Sequence, residues 1–296
     1  MTTISATSIL ASKHAVTGAR VDTMLLRYPR NIHAEFMTHR MFSRNASSSR
    51  AIPVEKMIQD VLDDPFVPLH WGENQKGMQA DGECDAKVFI ARFGHGSRED
   101  AWLAARDNAL ASAHAFAAAG YHKQLVNRLL EPFGHITVVC TATNYSNFFH
   151  LRRHPDAEPH MQLLAEAMFD AYERADVQQL ELGEWHAPFV SAQERGAMSL
   201  GDAIKLSVAR CASTSYKTVE GHDMTMGRAI ALHDKLVAMT PMHASPCEHQ
   251  CRADHLWIDE VVTIGQTKHW CYEHKHLHGN LQGFVQYRKT LRGECR

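Results

Sequence analysis

The run Thr38-His39-Arg40-Met41-Phe42-Ser43-Arg44-Asn45-Ala46-Ser47-Ser48-Ser49-Arg50 is the most informative stretch of this 296-residue chain. Its three successive serines and the arginine after them offer hydroxyls, closely spaced backbone N–H groups and a guanidinium. That combination suits a phosphate monoester. The same run also reads as a polar turn ending on a surface arginine, because short Ser/Arg motifs recur without a ligand.

Two more arginines stand at the ends of apolar stretches. Arg128 precedes Leu129-Leu130-Glu131-Pro132, and Arg152 follows Asn147-Phe148-Phe149-His150-Leu151. A guanidinium held in such a place suits an anionic ligand or an enolate-like ring oxygen, and equally suits a structural ion pair.

Composition narrows what these groups can serve. The chain is 45% hydrophobic and 22% charged, with 31 Lys and Arg against 33 Asp and Glu. Disorder, collagen and coiled coil are excluded. A net charge of -2 offers no broad footprint for nucleic acid or an anionic membrane, so phosphate recognition must be local. No stretch reaches the roughly 18 apolar residues of a membrane span, and Met1–Lys13 lacks a signal-peptide pattern, which predicts a cytoplasmic protein. Seven irregularly spaced cysteines read as reduced thiols, whereas 21 histidines are an unusual supply of ligands, acids and bases.

Helices and strands alternate without a repeat or a linker, which predicts one domain over residues 1–296 in the α/β or α+β class. Ser97 and Asp100 form a capping box ahead of an alanine-rich segment that Gly120 ends. A second helix is expected from near Pro155, with Met161, Leu164, Met168 and Ala171 on one face. A third fits Met226, Ala229, Ile230, His233 and Val237. Ile136–Cys140, Trp257–Ile264 and Leu281–Tyr287 read as strands. Ala51–Val88 reads as a long irregular excursion of the kind that covers a site.

The C-terminal third gathers Cys247, His249, Cys251, Cys271 and His274. Cys247 and Cys251 with Cys271 and His274 could supply four zinc ligands, at spacings close to but off the common ribbon pattern. A zinc-stabilised nucleotide-binding module is therefore one alternative.

Thr38–Arg50 resembles the R-H-R-x-x-S-x-N-E-x-S-x-R signature of the flavin-dependent thymidylate synthases. His39, Arg40, Ser43, Asn45, Ser48 and Arg50 fall on its fixed positions, and Thr38 and Ala46 depart from it. Arg128-Leu129-Leu130-Glu131-Pro132 is similar to that family's R-x-x-L-P, and Asn147–Arg152 to its N-F-L-x-L-R. The family's H-x-[ST]-P-x-E-H motif normally lies ahead of the signature. Here its counterpart is His243-Ala244-Ser245-Pro246-Cys247-Glu248-His249, and Ala212-Ser213-Thr214-Ser215-Tyr216 upstream resembles the family's early A-R-V-S-Y. The motif order is that of a circular permutation, feasible where termini lie close together.

The resemblance implies a mainly antiparallel central sheet with flanking helices, and a homotetramer with active sites between subunits. It implies reductive methylation of dUMP to dTMP, with methylenetetrahydrofolate as one-carbon donor, FAD as flavin and NADPH as reductant. It accounts for Cys247, Glu248 and His249 without a metal. Carried over position by position, Ser48, Ser49, Arg50 and Arg128 hold dUMP, and Arg152 both binds it and stabilises charge on the ring. His39, Arg40, Asn147 and Ser245 approach the flavin. Thr38, Ala46 and Thr141-Ala142-Thr143-Asn144 weaken the flavin grip, which Arg44, Arg30 or Gln286-Tyr287-Arg288 could restore. A dUMP hydroxymethylase on the same scaffold is the nearest alternative.

Overall fold

The computed structural model describes residues 3–78, 80, 82–91, 94–213, 224–257 and 271–294. A five-stranded sheet is its frame. In spatial order its strands are Ser43–Ala46, His135–Ala142, Arg20–Pro29, Ser5–His14 and Val177–Leu180. The first four pair antiparallel and the last pairs parallel to Ser5–His14, so the sheet is mainly antiparallel with one parallel edge.

Alternation along Arg20–Pro29 divides the two faces. Met24, Leu26 and Tyr28 point into one core with Val138, Cys140 and Phe148. The helix Pro159–Glu173 closes that core with Met161, Leu164, Ala165 and Met168. On the other face, Val21 meets Cys251, Ala253, Leu281 and Phe284. This second layer is a three-stranded sheet of Phe284–Gln286, Cys251–Ala253 and Trp185–His186. The helices Leu200–Ala212 and Met226–Ala238 pack together through Ala203, Leu206, Ala209 and Ala229.

Several expectations shift in detail. The alanine-rich helix spans Arg98–Ala118, Ser97 and Asp100 cap it reciprocally, and Gly120 takes a left-handed φ of 84° that stops it. The second helix starts at Pro159 rather than Pro155, because the Glu158 carboxylate caps Met161 N–H and proline occupies the first turn. The supposed irregular excursion contains the helix Val54–Asp63, whose Val54, Met57, Ile58 and Val61 are buried against Leu110, Val126 and Phe133. The strand expected at Leu281–Tyr287 shortens to Phe284–Gln286. Of Trp257–Ile264, only Trp257 lies within the described residues, at the end of Leu256–Trp257.

Candidate active site

The signature run leaves a one-turn helix, His33–Phe36, and becomes the edge strand Ser43–Ala46. Phe36, Phe42, Tyr145 and Phe148 interlock beneath it, with Phe36 and Phe148 edge to face at 5.9 Å. His39 stacks on Phe42 at 5.9 Å and meets the Phe148 ring edge-on at 4.8 Å. Arg152, at the end of the helix Ser146–Arg152, donates Nε–H to His39 Nε2 at 2.9 Å. It also donates through Nη1 to the Glu35 carboxylate. His39 must therefore be neutral with its proton on Nδ1, and burial, Arg152 and Arg44 together lower its pKa to about 4.

A second cluster forms beyond the strand, about 13 Å along at about 3.3 Å per residue for its four residues. Asn127, fully buried, donates its amide to the carbonyls of Ser49 and Ile52 at 2.7 and 2.9 Å and so fixes the serine loop. Ser49 Oγ donates to Glu131 at 2.5 Å. Arg30 and Arg128 reach Glu131 at 4.0 and 3.9 Å, and Arg30 also donates to the Ser47 carbonyl at 3.2 Å. The Arg128 side chain is 60% exposed, and Arg50 is exposed as well. Ser48 is half-buried in the same loop.

C-terminal segments clamp the strand that joins these clusters. Ser245 Oγ donates to Asn45 Oδ1 at 3.3 Å, and Asn45 Nδ2 donates to the Cys211 carbonyl at 2.7 Å. The buried Gln286 amide donates to Ser43 Oγ at 3.3 Å, to the Glu248 carbonyl at 3.1 Å and to Asn280 Oδ1 at 3.0 Å. His249 is fully buried, and its Nδ1 lies 2.8 Å from Thr141 Oγ1. Thus the segment Ser245–His249 reaches the signature run from about 200 residues away.

The expected site residues divide accordingly. Arg152 and His39 share one cluster, and Ser48, Ser49 and Arg128 share the other with Arg50 adjoining. Arg40 and Asn147 are exposed, and among the described residues their side chains make no hydrogen bond or ion pair. Arg40 follows His39 and Asn147 precedes Phe148 in the chain, so both open side chains adjoin residues of the aromatic cluster. The proposed substitutes for the missing flavin contacts act otherwise. Arg44 donates to the carbonyls of Phe36, Met37 and His39, and Arg30 lies under the serine loop. Tyr287 bonds His233 at 2.9 Å, and Arg288 pairs with Glu248 and Glu294. Gln286, Tyr287 and Arg288 span a strand end and the short helix Tyr287–Thr290 rather than one strand, and they tie the C-terminal layer together.

The alternative zinc set is not brought together. Cys247 and Cys251 are buried, Cys271 is exposed, and His274 Nδ1 bonds Asp254 at 2.9 Å. Among the described residues, no three His, Cys, Asp or Glu side chains are arranged to hold a metal ion. Of the stretch Ala212–Tyr216, Thr214, Ser215 and Tyr216 fall outside the described residues. Sequence reading missed Glu35, Asn127 and the acidic role of Glu131. Glu131 carried a signal, standing where the resembled segment has leucine, while Glu35 and Asn127 had none.

No family model and no curated relative matches the chain. Among solved structures, it is similar to a UMP/dUMP methylase from Streptomyces cacaoi bound with 5-Br dUMP. That likeness has 15% identity and a TM-score of 0.41, covering 58% of this chain and 91% of the other. The same methylase bound with 5-Br UMP aligns at 18% identity and a TM-score of 0.42, over 59% and 90% of the chains. A flavin-dependent thymidylate synthase from Helicobacter pylori, complexed with FAD and dUMP, aligns at 21% identity and a TM-score of 0.34, over 51% and 67%. At such scores the functional reading rests on the motifs and on how they meet in space. Among the described residues, no helix is long and apolar enough to cross a membrane.

Proposed function

We infer that this chain is a dUMP-modifying enzyme of the flavin-dependent thymidylate synthase type, with its motifs in permuted order. The observation that carries the reading is the Ser245–Asn45 hydrogen bond. It joins the segment like H-x-[ST]-P-x-E-H to the segment like the R-H-R signature, although chain order separates them. Unrelated sequence coincidences would have no reason to adjoin.

In this reading Ser48, Ser49, Arg50 and Arg128 hold the dUMP phosphate, and Arg30 supports the loop from below. Ser49 turns its hydroxyl from Glu131 to the phosphate, and the guanidinium of Arg128 does the same. Arg152 serves the pyrimidine: His39 and Glu35 engage its Nε and Nη1, leaving Nη2 as the donor toward O4 when charge builds there. His39 keeps Arg152 in orientation as a neutral acceptor. Arg40, Asn147 and Ser245 bind FAD alongside His39. When bound, FAD reduced by NADPH would supply the hydride and methylenetetrahydrofolate the carbon.

Because the two arginine clusters flank a single strand, a second copy facing that strand would bring one chain's Arg152 toward the other's serine loop. This supports sites shared between subunits; a homotetrameric assembly and a cytoplasmic location are further parts of the same proposal. Thr38 favours a second product: its hydroxyl is tied to the Glu35 carbonyl at 2.7 Å where the resembled family has an arginine. A weaker flavin grip would leave the added carbon as hydroxymethyl. Mass analysis of dUMP incubated with the enzyme, FAD, methylenetetrahydrofolate and NADPH tests both readings. A methylated product supports the first, a hydroxymethylated one the second, and unchanged dUMP with no flavin bound rejects the assignment.

A further inference from the structure

Polar side chains from all five strands lie on the face opposite the aromatic core, the row stepping along the chain between Arg20–Pro29 and Ser5–His14, where Thr23 stands opposite Leu10 and Ser12 opposite Val21. Ser43 stands opposite Thr141, Thr141 opposite Thr23, and Ser12 opposite Gln178. Ser12, Thr23, Thr141, His186 and His249 are all fully buried, so each hydrogen bond among them is shielded from water. The contacts form an unbroken series. Arg195 Nη2 lies 3.2 Å from Gln178 Oε1, Gln178 Nε2 3.0 Å from Ser12 Oγ, and Ser12 Oγ 2.8 Å from His186 Nδ1. His186 Nε2 lies 2.9 Å from Thr23 Oγ1, which is 2.6 Å from Thr141 Oγ1, which is 2.8 Å from His249 Nδ1.

The proton positions along this series follow from its first member. A guanidinium can only donate, so Gln178 turns its oxygen to Arg195 and its NH2 to Ser12. Ser12 Oγ could accept a second time, but His186 Nδ1 is its only other partner among the described residues, so the one hydroxyl proton finds its acceptor there. Neutral His186 must then carry its proton on Nε2 and give it to Thr23. Thr23 donates to Thr141, and Thr141 donates to His249 Nδ1. Both rings are held neutral by burial, which lowers each to about 3. The remaining atom, His249 Nε2, is buried and has no partner among the described residues.

We propose that Arg195, Gln178, Ser12, His186, Thr23 and Thr141 are a one-way hydrogen-bond relay that fixes His249 as its Nε2–H tautomer. The relay holds that N–H ready as a donor to a carbonyl-type oxygen of a bound ligand. These six are positioning residues, acting on the site only through His249. The tautomer assignment is independent of the proposed function; only the identity of the acceptor, an oxygen of the substrate or cofactors named above, rests on that reading.

Long-range proton–nitrogen spectra of the full chain labelled with 15N-histidine read the tautomers directly. The expected wild-type result is Nε2–H on both His186 and His249, favoured on His249 by about tenfold or more. Gln178→Glu, far from His249, is the sharper test. One carboxylate oxygen keeps Arg195 while the other accepts from Ser12, which reverses every donor downstream and turns His249 into its Nδ1–H form. Nδ1–H on His249 in the wild type, or an unmoved tautomer in folded Gln178→Glu, overturns the relay. Should that variant not fold, Thr141→Val removes the last donor and is expected to bring the two tautomers within about twofold of each other. An unchanged ratio there also overturns it. Failure to convert dUMP, with the tautomers as stated, would reject the proposed function and leave the relay standing.

Discussion

Ser245 and Asn45, two hundred positions apart in the chain, are joined by a 3.3 Å hydrogen bond at the edge of the central sheet. Asn45 is held in turn by the Cys211 carbonyl, and Ser43 two residues earlier by Gln286. The strand Ser43–Ala46 is therefore the place where the N-terminal signature and the C-terminal layer become one site. Its mutational behaviour follows from that.

Arg50→Ala and Arg128→Ala are expected to weaken dUMP binding far more than deoxyuridine binding. A charge-assisted contact to phosphate is worth on the order of 1.5–3 kcal/mol. Titration calorimetry with nucleotide and nucleoside measures the difference. Equal losses for the two ligands would remove phosphate from the serine loop.

Glu131 places a carboxylate among Ser49, Arg30 and Arg128. Glu131→Gln keeps an acceptor for Ser49 and deletes a charge that repels phosphate. The expected outcome is dUMP binding stronger by about 0.5–1 kcal/mol, the Coulomb scale for charges several ångströms apart near water. Weaker binding in the same calorimeter would show that Glu131 serves the ligand instead.

Phe148 is buried at the centre of the aromatic cluster and carries the His39 ring on its edge. Phe148→Ala is expected to cost about 3–5 kcal/mol of stability. Urea unfolding checks this. A cost below about 1 kcal/mol would mean that the cluster does not anchor the signature run.

His186 and His249 give a pH dependence with a definite sign. Each titrates near 3 in the folded chain against an ordinary 6.5, because burial disfavours the charged ring. Between those values the unfolded chain binds more protons. Stability is thus full above pH 6.5 and falls as the pH drops toward 3, by up to about 1.4 kcal/mol per pH unit for each ring. Unfolding free energies at pH 7, 5.5 and 4.5 should show a shallower fall in His249→Asn than in the wild type. Identical slopes would mean that His249 is not held neutral.

Local patterns carried the parts of the fold that local physics decides. Ser97, Asp100 and the alanines announced their helix, and the β-branched run at Ile136–Cys140 lies within the strand His135–Ala142. The helix Val54–Asp63 had its apolar stripe in plain view, yet the prolines and glycines around it masked the period. Thr23, Thr141 and His186 gave no sign of their contact, because cross-strand register and the packing of one sheet on another are long-range properties. The motifs named most residues of the candidate site, but not that Arg152 would be engaged by Glu35 and His39 while the serine loop faced Glu131.

Arg152 bears the heaviest chemical demand in this account, and Arg152→Lys isolates it. Lysine keeps a charge but loses the planar fork that His39 and Glu35 orient. Circular dichroism establishes that the variant is folded. Single-turnover conversion of saturating dUMP, with reduced flavin and methylenetetrahydrofolate, is then compared with the wild type. The expected result is a wild-type enzyme that modifies dUMP and a variant slower by about two to three orders of magnitude, with dUMP affinity changed much less. A variant that binds dUMP poorly yet reacts at the wild-type rate, or a flavin-loaded wild type that leaves dUMP unchanged, would contradict it.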